Sequence, residues 1–162
     1  MNIVLLEPEI PHNAGSIGRT CSVTGCRLHL IKPLGFSVDE KHLRRAGLDY
    51  WGSLDVTYYE GYEDFQRSNP GVRPIMATTK AKRLYTDIPY DPDCFIMFGK
   101  ESAGIPEEIL KENAENCVRI PMMGDKRSLN LAVSAGIIIY EALRQNGFAG
   151  LRTEGELHRL KW

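Results

Sequence analysis

Apolar and polar positions fall in alternating blocks along this chain, and the blocks set its class before any motif is considered. Six short apolar runs, rich in β-branched and aromatic residues, read as strands: NIVLLEP, RLHLIKP, LDVTYYE, PIMATT, CFIMFG and VRIPM. The last three show little alternation, as strands buried on both faces do. Helical patterns lie between the runs. One spans Asn13 to Gly25, with Asn13 as the predicted N-cap and Gly25 as the stop. A short charged helix is predicted from near Asp39 through KHLRRAG, another over YEDFQRSN up to Pro70-Gly71, and a third from Pro106. A long final helix ends near Asn146-Gly147, and the tail from Leu151 to Trp162 is charged and amphipathic. The order βαβαβαββαβα predicts an α/β fold, a mainly parallel sheet with helices on both faces. No internal repeat, low-complexity segment or linker interrupts it, so residues 1–162 are expected to form one domain.

Composition narrows the class without naming a function. A chain of 162 residues buries a real core. Its 43% hydrophobic and 25% charged content is ordinary for a globular protein. The formal net charge of −1 advertises no nucleic-acid partner, although a local basic patch can sit inside a neutral total. No run of 18 apolar residues occurs and Met1 leads straight into NIVLL, so neither a membrane span nor a secretion signal is expected and the location is read as cytoplasmic. Cys21, Cys26, Cys94 and Cys117 form no C-x-x-C pair and sit in apolar or helical contexts. They are expected to be reduced, buried thiols, with no metal.

The stretch from Phe98 to Arg144 carries the candidate chemistry. A glycine turn, FGKESAG, follows one strand, and VRIPM leads through a polar loop into SLNLAVSAGIIIYEALR. Two strands thus deliver Gly99, Gly104, Ser128 and Asn130 to one end of a parallel sheet, where small molecules bind. The following helix is apolar around nearly its whole circumference, as a helix covered on two sides is. No G-x-G-x-x-G follows the first strand and no G-x-x-x-x-G-K-[ST] occurs, which disfavours an ordinary dehydrogenase or NTPase. The Gly15 and Gly18 pair reads as a helix lying close on the sheet.

Taken together, three segments resemble the SPOUT (SpoU–TrmD) methyltransferases. PEIPHNAGSIGRTC, from Pro8 to Cys21, is similar to their first motif, with an Asn and an Arg six residues apart. FGKESAG resembles the second, FGxExxG, and IPMMGDKRSLNLAVSAGI the third. KHLRRAGLDYW is similar to the minimal single-domain subgroup of the TrmL type, which 2′-O-methylates the wobble nucleotide (cytidine or uridine 34) of leucine tRNAs. The resemblance spans residues 2 to about 148. His12, Lys100 and Ala132 depart from the subgroup's usual Pro, Pro and Ser.

That resemblance implies a C-terminal trefoil knot within about residues 74–148, S-adenosylmethionine as cofactor, a tRNA anticodon stem-loop as substrate, and a homodimer whose subunits complete each other's sites. Ala77, Thr78, Gly99, Glu101, Ile120, Met122, Ser128 and Leu129 would line the cofactor pocket, with Gly99 glycine because a side chain would block the cofactor's approach. Ala77, Ile120 and Leu129 would otherwise read as core. Arg19, Ser128 and Asn130 would be catalytic. Guanidinium groups keep their protons in proteins, so Arg19 is read as a bidentate phosphate clamp while a phosphate or water takes the 2′-hydroxyl proton. Glu101 would cap a helix or anchor Arg19. Arg19, Lys41, Arg44 and Arg45, with Tyr50 and Trp51 behind them, would bind RNA, although a solvated charged helix accounts equally for the last cluster of cations. Lys80, Lys82 and Arg83 would extend the patch. The alternatives are 2′-O-methylation of another RNA, a non-catalytic module binding S-adenosylmethionine or RNA, and a nucleotide-dependent oxidoreductase.

Overall fold

In a computed structural model, residues 1–37, 51–124 and 126–162 are described. Seven strands form one parallel sheet: β1 (Asn2–Leu6), β2 (Arg27–Ile31), β3 (Val56–Tyr59), β4 (Ile75–Ala77), β5 (Arg83–Leu84), β6 (Phe95–Phe98) and β7 (Cys117–Arg119). Their spatial order is β3-β2-β1-β6-β4-β7-β5. Among the described residues four helices accompany them: α1 (Pro11–Thr24), α2 (Tyr62–Ser68), α3 (Glu107–Glu112) and α4 (Leu131–Gln145). The helix expected from Asp39 lies outside the described residues. Strand β5 is an addition: only two residues long and exposed, it carries too little pattern to be read from sequence.

The strands read as apolar runs because both faces of the sheet are covered. In β1, Ile3 and Leu5 face a core closed by α1 and α4, through Ala14, Ile17, Ala135, Ile138 and Ile139. Val4 and Leu6 face the opposite core, where Phe65 of α2 and Leu110 of α3 close the layer. Each such side chain contributes about 1.5–3 kcal/mol when taken fully out of water, so β1 alone is a large share of the driving force.

Helix α1 starts a turn earlier than the sequence suggests. Pro11 occupies its first turn, where a missing N–H costs nothing, and Ile10 is the N-cap. Asn13 is therefore a buried residue inside the first turn and not a cap. Gly25 ends the helix as expected, in the left-handed region at φ 71°, with a backbone N–H closing onto the Cys21 carbonyl. Midway along α1, Gly18 leaves room for the Trp51 ring: a Cβ there would stand 3.0 Å from Trp51 Cζ3. Trp51 is buried against the helix, which removes it from the aromatics expected to stack on RNA.

Helix α4 is capped by Asn130, whose Oδ1 accepts from the backbone N–H of Ala132 at 2.9 Å and of Val133 at 3.2 Å. Its apolar circumference divides between core and surface. Ile138 and Ile139 are buried against the sheet, whereas Val133 and Tyr140 are about half exposed.

Candidate active site

Strands β6, β4 and β7 are neighbours, and their carboxyl ends open into one cavity of about 570 Å³. Its walls come from Ala77 at the end of β4, Phe98 at the end of β6 and Val118 in β7, with the loops that follow each strand. The volume is that of a small-molecule site at the edge of an open α/β sheet. Ala77, Thr78, Gly99, Glu101, Ile120, Met122, Ser128 and Leu129 all line it, and so does Asn130.

The loops are fastened to one another by a lattice of side chains. Glu101 Oε2 accepts from the Glu9 N–H at 2.8 Å, and Glu101 Oε1 accepts from Asn13 Nδ2 at 2.8 Å and from the Ile10 N–H at 3.3 Å. Asn13 Oδ1 in turn accepts from Asn130 Nδ2 at 3.0 Å. One chain of hydrogen bonds thus joins the segment before α1, the turn after β6 and the N-terminus of α4. Glu101 holds the segment that leads into α1, while Ile10, the N-cap, has no side-chain cap.

A second set of contacts runs the other way. Glu9 accepts from the Ser102 hydroxyl at 2.8 Å and from its backbone N–H at 2.9 Å, which hold the Glu9 carboxyl below the usual range. Lys100 Nζ donates to Glu7 Oε2 at 2.8 Å, and this bond with the adjacent charge raises the lysine's pKa. Glu7 itself sits in the left-handed region at φ 51°, unusual for a residue with a side chain.

Gly99 has a different reason to be glycine from the one its place at the pocket suggests. A Cβ there would come 2.1 Å from the Gly104 carbonyl carbon and 2.2 Å from the Ile105 nitrogen. The turn folds back on itself, with the Gly104 N–H bonded to the Lys100 carbonyl at 2.8 Å. The glycine is needed first to let the turn close, whatever occupies the cavity.

Arg19 is exposed on α1 and is not among the residues that line the cavity. Lys41, Arg44, Arg45 and Tyr50 lie outside the described residues. Asn13, Lys80, Lys100, Ser102, Arg127 and Ser134 also line the cavity and were not read as pocket residues from sequence. Asn13, Lys100, Ser102, Arg127 and Ser134 fall inside the three motifs and Lys80 in the basic patch, but nothing in the sequence alone singled them out for the pocket. Of the more distant cations, Arg83 bonds the Glu115 carbonyl at 3.0 Å.

The four cysteines are free thiols. Burial raises the pKa of each, to about 11 for Cys94, which disfavours the nucleophilic thiolate. Among the described residues no cluster of His, Cys, Asp or Glu is placed to hold a metal, and no helix is long and apolar enough to cross a membrane.

Comparison with known proteins fits this geometry. Residues 1–140 match the SpoU rRNA methylase family. The chain is 45% identical over 150 residues to a tRNA (cytidine(34)-2′-O)-methyltransferase of Saccharophagus degradans, covering 92% of this chain and 97% of that protein. A solved structure described as "Structural insights into the 2-OH methylation of C/U34 on tRNA" superposes with a TM-score of 0.84 at 40% identity, covering 91% of this chain and 96% of the other. An AdoMet-bound rRNA methyltransferase from Sinorhizobium meliloti gives a TM-score of 0.76 at 28% identity, covering 88% of this chain but 55% of that one. The chain belongs to the SpoU family and is a SPOUT-class methyltransferase with that family's α/β fold.

Proposed function

We propose that this chain methylates the ribose 2′-hydroxyl of the tRNA wobble nucleotide, cytidine or uridine 34 of leucine tRNAs, with S-adenosylmethionine as donor. The observation that carries the reading is the cavity at the ends of β4, β6 and β7, in which the expected cofactor residues meet. Its wall suits the cofactor: apolar side chains of Ala77, Ile120 and Leu129 can flank a purine, and the loops after β6 and β7 offer backbone N–H and C=O groups to its edge. When bound, S-adenosylmethionine supplies a methyl group on a sulfonium, which accepts the bonding electrons as the methyl leaves.

The chain's own residues place the acceptor. Ser128 and Asn130 stand at the cavity wall, where hydroxyl and amide can orient a ribose. The 2′-oxygen forms the new bond to carbon and loses its proton to a phosphate oxygen or water. Arg19 clamps the neighbouring RNA phosphate bidentately and holds that geometry. Since Arg19 is exposed and off its own cavity, it serves the cavity of a second subunit. Val133 and Tyr140 on α4 and Val23 on α1 are exposed apolar groups on two adjoining helices, and a second copy covers them. Lys41, Arg44 and Arg45 bind the anticodon stem-loop. The segment 74–148 carries the family's trefoil knot, and the single domain covers residues 1–162. A protein working on tRNA during its maturation is cytoplasmic.

Identity favours tRNA over ribosomal RNA as the target. The wobble-methylation structure is 40% identical to this chain, the rRNA enzyme 28%. The test is methyl transfer from labelled S-adenosylmethionine into bulk tRNA and, separately, into ribosomal RNA. Incorporation into tRNA alone supports the proposal; incorporation into ribosomal RNA alone, or into neither, overturns it.

A further inference from the structure

Among the described residues three cations line the active-site cavity: Lys80, Lys100 and Arg127. They differ in what holds them. Lys80 Nζ is 3.0 Å from Glu107 Oε1, and Lys100 Nζ is 2.8 Å from Glu7 Oε2. Each of these charges is met by a carboxylate. Arg127 is met by none among the described residues, and its side chain is exposed to solvent at the cavity wall. It lies in the loop between β7 and α4, immediately before Ser128 and three residues before the Asn130 that caps α4. The cap fixes the end of that loop, so the guanidinium is presented from a tethered segment.

From this contrast we infer that Arg127 is an oxyanion-binding residue of the reaction, taking a carboxylate or phosphodiester oxygen pair at the cavity mouth. Its planar fork of donors matches either group bidentately. Glu101 is the carboxylate that also lines the cavity, and it is taken up by the Glu9 and Ile10 N–H groups and the Asn13 amide, which leaves Arg127 as the lining cation that no carboxylate among the described residues meets. The inference rests on the proposed methyl transfer to RNA, because that reaction brings two anions to this mouth: the cofactor's α-carboxylate and the substrate's backbone phosphate. Arg127 is distinct from Arg19, which does not line the cavity of its own chain.

The test uses the intact protein and the variants Arg127→Gln and Arg127→Lys, both expected to keep the wild-type melting temperature because the side chain is exposed. Two ligands are titrated by calorimetry, S-adenosylhomocysteine and a leucine tRNA, the latter across a salt series. A phosphate contact shows as a tRNA Kd raised about tenfold in Arg127→Gln, with the slope of log Kd against log salt reduced by about one, and S-adenosylhomocysteine unaffected. A carboxylate contact shows as an S-adenosylhomocysteine Kd raised by a similar factor, with the salt slope for tRNA unchanged. Arg127→Lys recovers part of the loss in either case, since it keeps the charge without the fork. Either pattern supports the inference and names the anion. Wild-type affinity of Arg127→Gln for both ligands, with the wild type active on tRNA, overturns it. An inactive wild type overturns the proposed function instead.

Discussion

Asn13 and Asn130 stand 117 positions apart in sequence and are joined by a 3.0 Å hydrogen bond, Nδ2 of Asn130 to Oδ1 of Asn13. Every polar atom of this pair has structural work. Asn13 passes its own amide to Glu101, and Asn130 caps α4 with its carbonyl oxygen. The pair connects the ends of the chain across the cavity, so either residue is a point where pocket geometry and stability are lost together.

The coupling between them is measurable. Asn13→Ala removes the bonds to Asn130 and to Glu101, and with Asn130 exposed to water the cost is about 1 kcal/mol per bond. Asn130→Ala loses the same bond and the α4 cap, at about 1–2 kcal/mol for the cap. A double-mutant cycle in urea unfolding is expected to give an interaction energy of about 0.5 kcal/mol or more. Strict additivity would show the bond to be absent in solution.

Gly99→Ala is expected to lower stability and cofactor affinity in parallel. The added Cβ collides with the Gly104–Ile105 backbone and not with a removable side chain, so the turn must open, at about 1–3 kcal/mol. Differential scanning calorimetry without ligand checks it. An unchanged Tm combined with lost S-adenosylhomocysteine binding would return Gly99 to the role its place at the pocket suggests, direct contact with the cofactor.

His29 gives the protein a pH dependence. Its Nδ1 is 2.8 Å from the Tyr59 hydroxyl and its Nε2 is 3.2 Å from Asn2 Oδ1. Because Asn2 Oδ1 only accepts, Nε2 carries the proton and the Tyr59 hydroxyl donates to Nδ1; the neutral ring is fully satisfied. Burial pulls the His29 pKa down from 6.5 to about 4. Above pH 6.5 both states are neutral there and the full stability is present. As pH falls from 6.5 toward 4 the unfolded chain takes up the proton first, so stability is lost, on the order of 3 kcal/mol once below both values. Urea midpoints at pH 7 and pH 5 are expected to differ more for the wild type than for His29→Asn. Equal differences would place the titration elsewhere.

Val133→Asp with Tyr140→Asp is expected to give a monomer that keeps its sheet, because both side chains are exposed in the single chain. Sedimentation velocity and far-ultraviolet circular dichroism read the two properties, and methyl transfer is expected to fall with dissociation. Ile138 is unsuited to this test: it faces the core, and a charge there would unfold the chain. A wild type that is monomeric and fully active would refute the shared site.

Much of this was legible in the sequence because local pattern and burial agree. The six apolar runs are strands because the sheet is covered on both faces, and Gly25 and Asn130 bound their helices by local chemistry. What sequence hid depends on partners distant in the chain. Asn13 looks like an N-cap, but Pro11 begins the helix earlier, and Glu101, 88 residues away, takes up its amide. Trp51 looks like a stacking aromatic until Gly18 is seen to leave it a socket. Arg127 falls inside the third motif but had no role assigned there; its place on the cavity, with no carboxylate among the described residues to meet it, is what marks it.

The most direct measurement is to incubate the protein with S-adenosylmethionine and an unmodified leucine tRNA, digest the product, and locate the added methyl by mass spectrometry of the anticodon fragment. A single methyl is expected on the ribose of nucleotide 34, lost in Arg19→Ala while S-adenosylhomocysteine binding persists. A methyl on a base, on another nucleotide, or undiminished transfer by Arg19→Ala would contradict it.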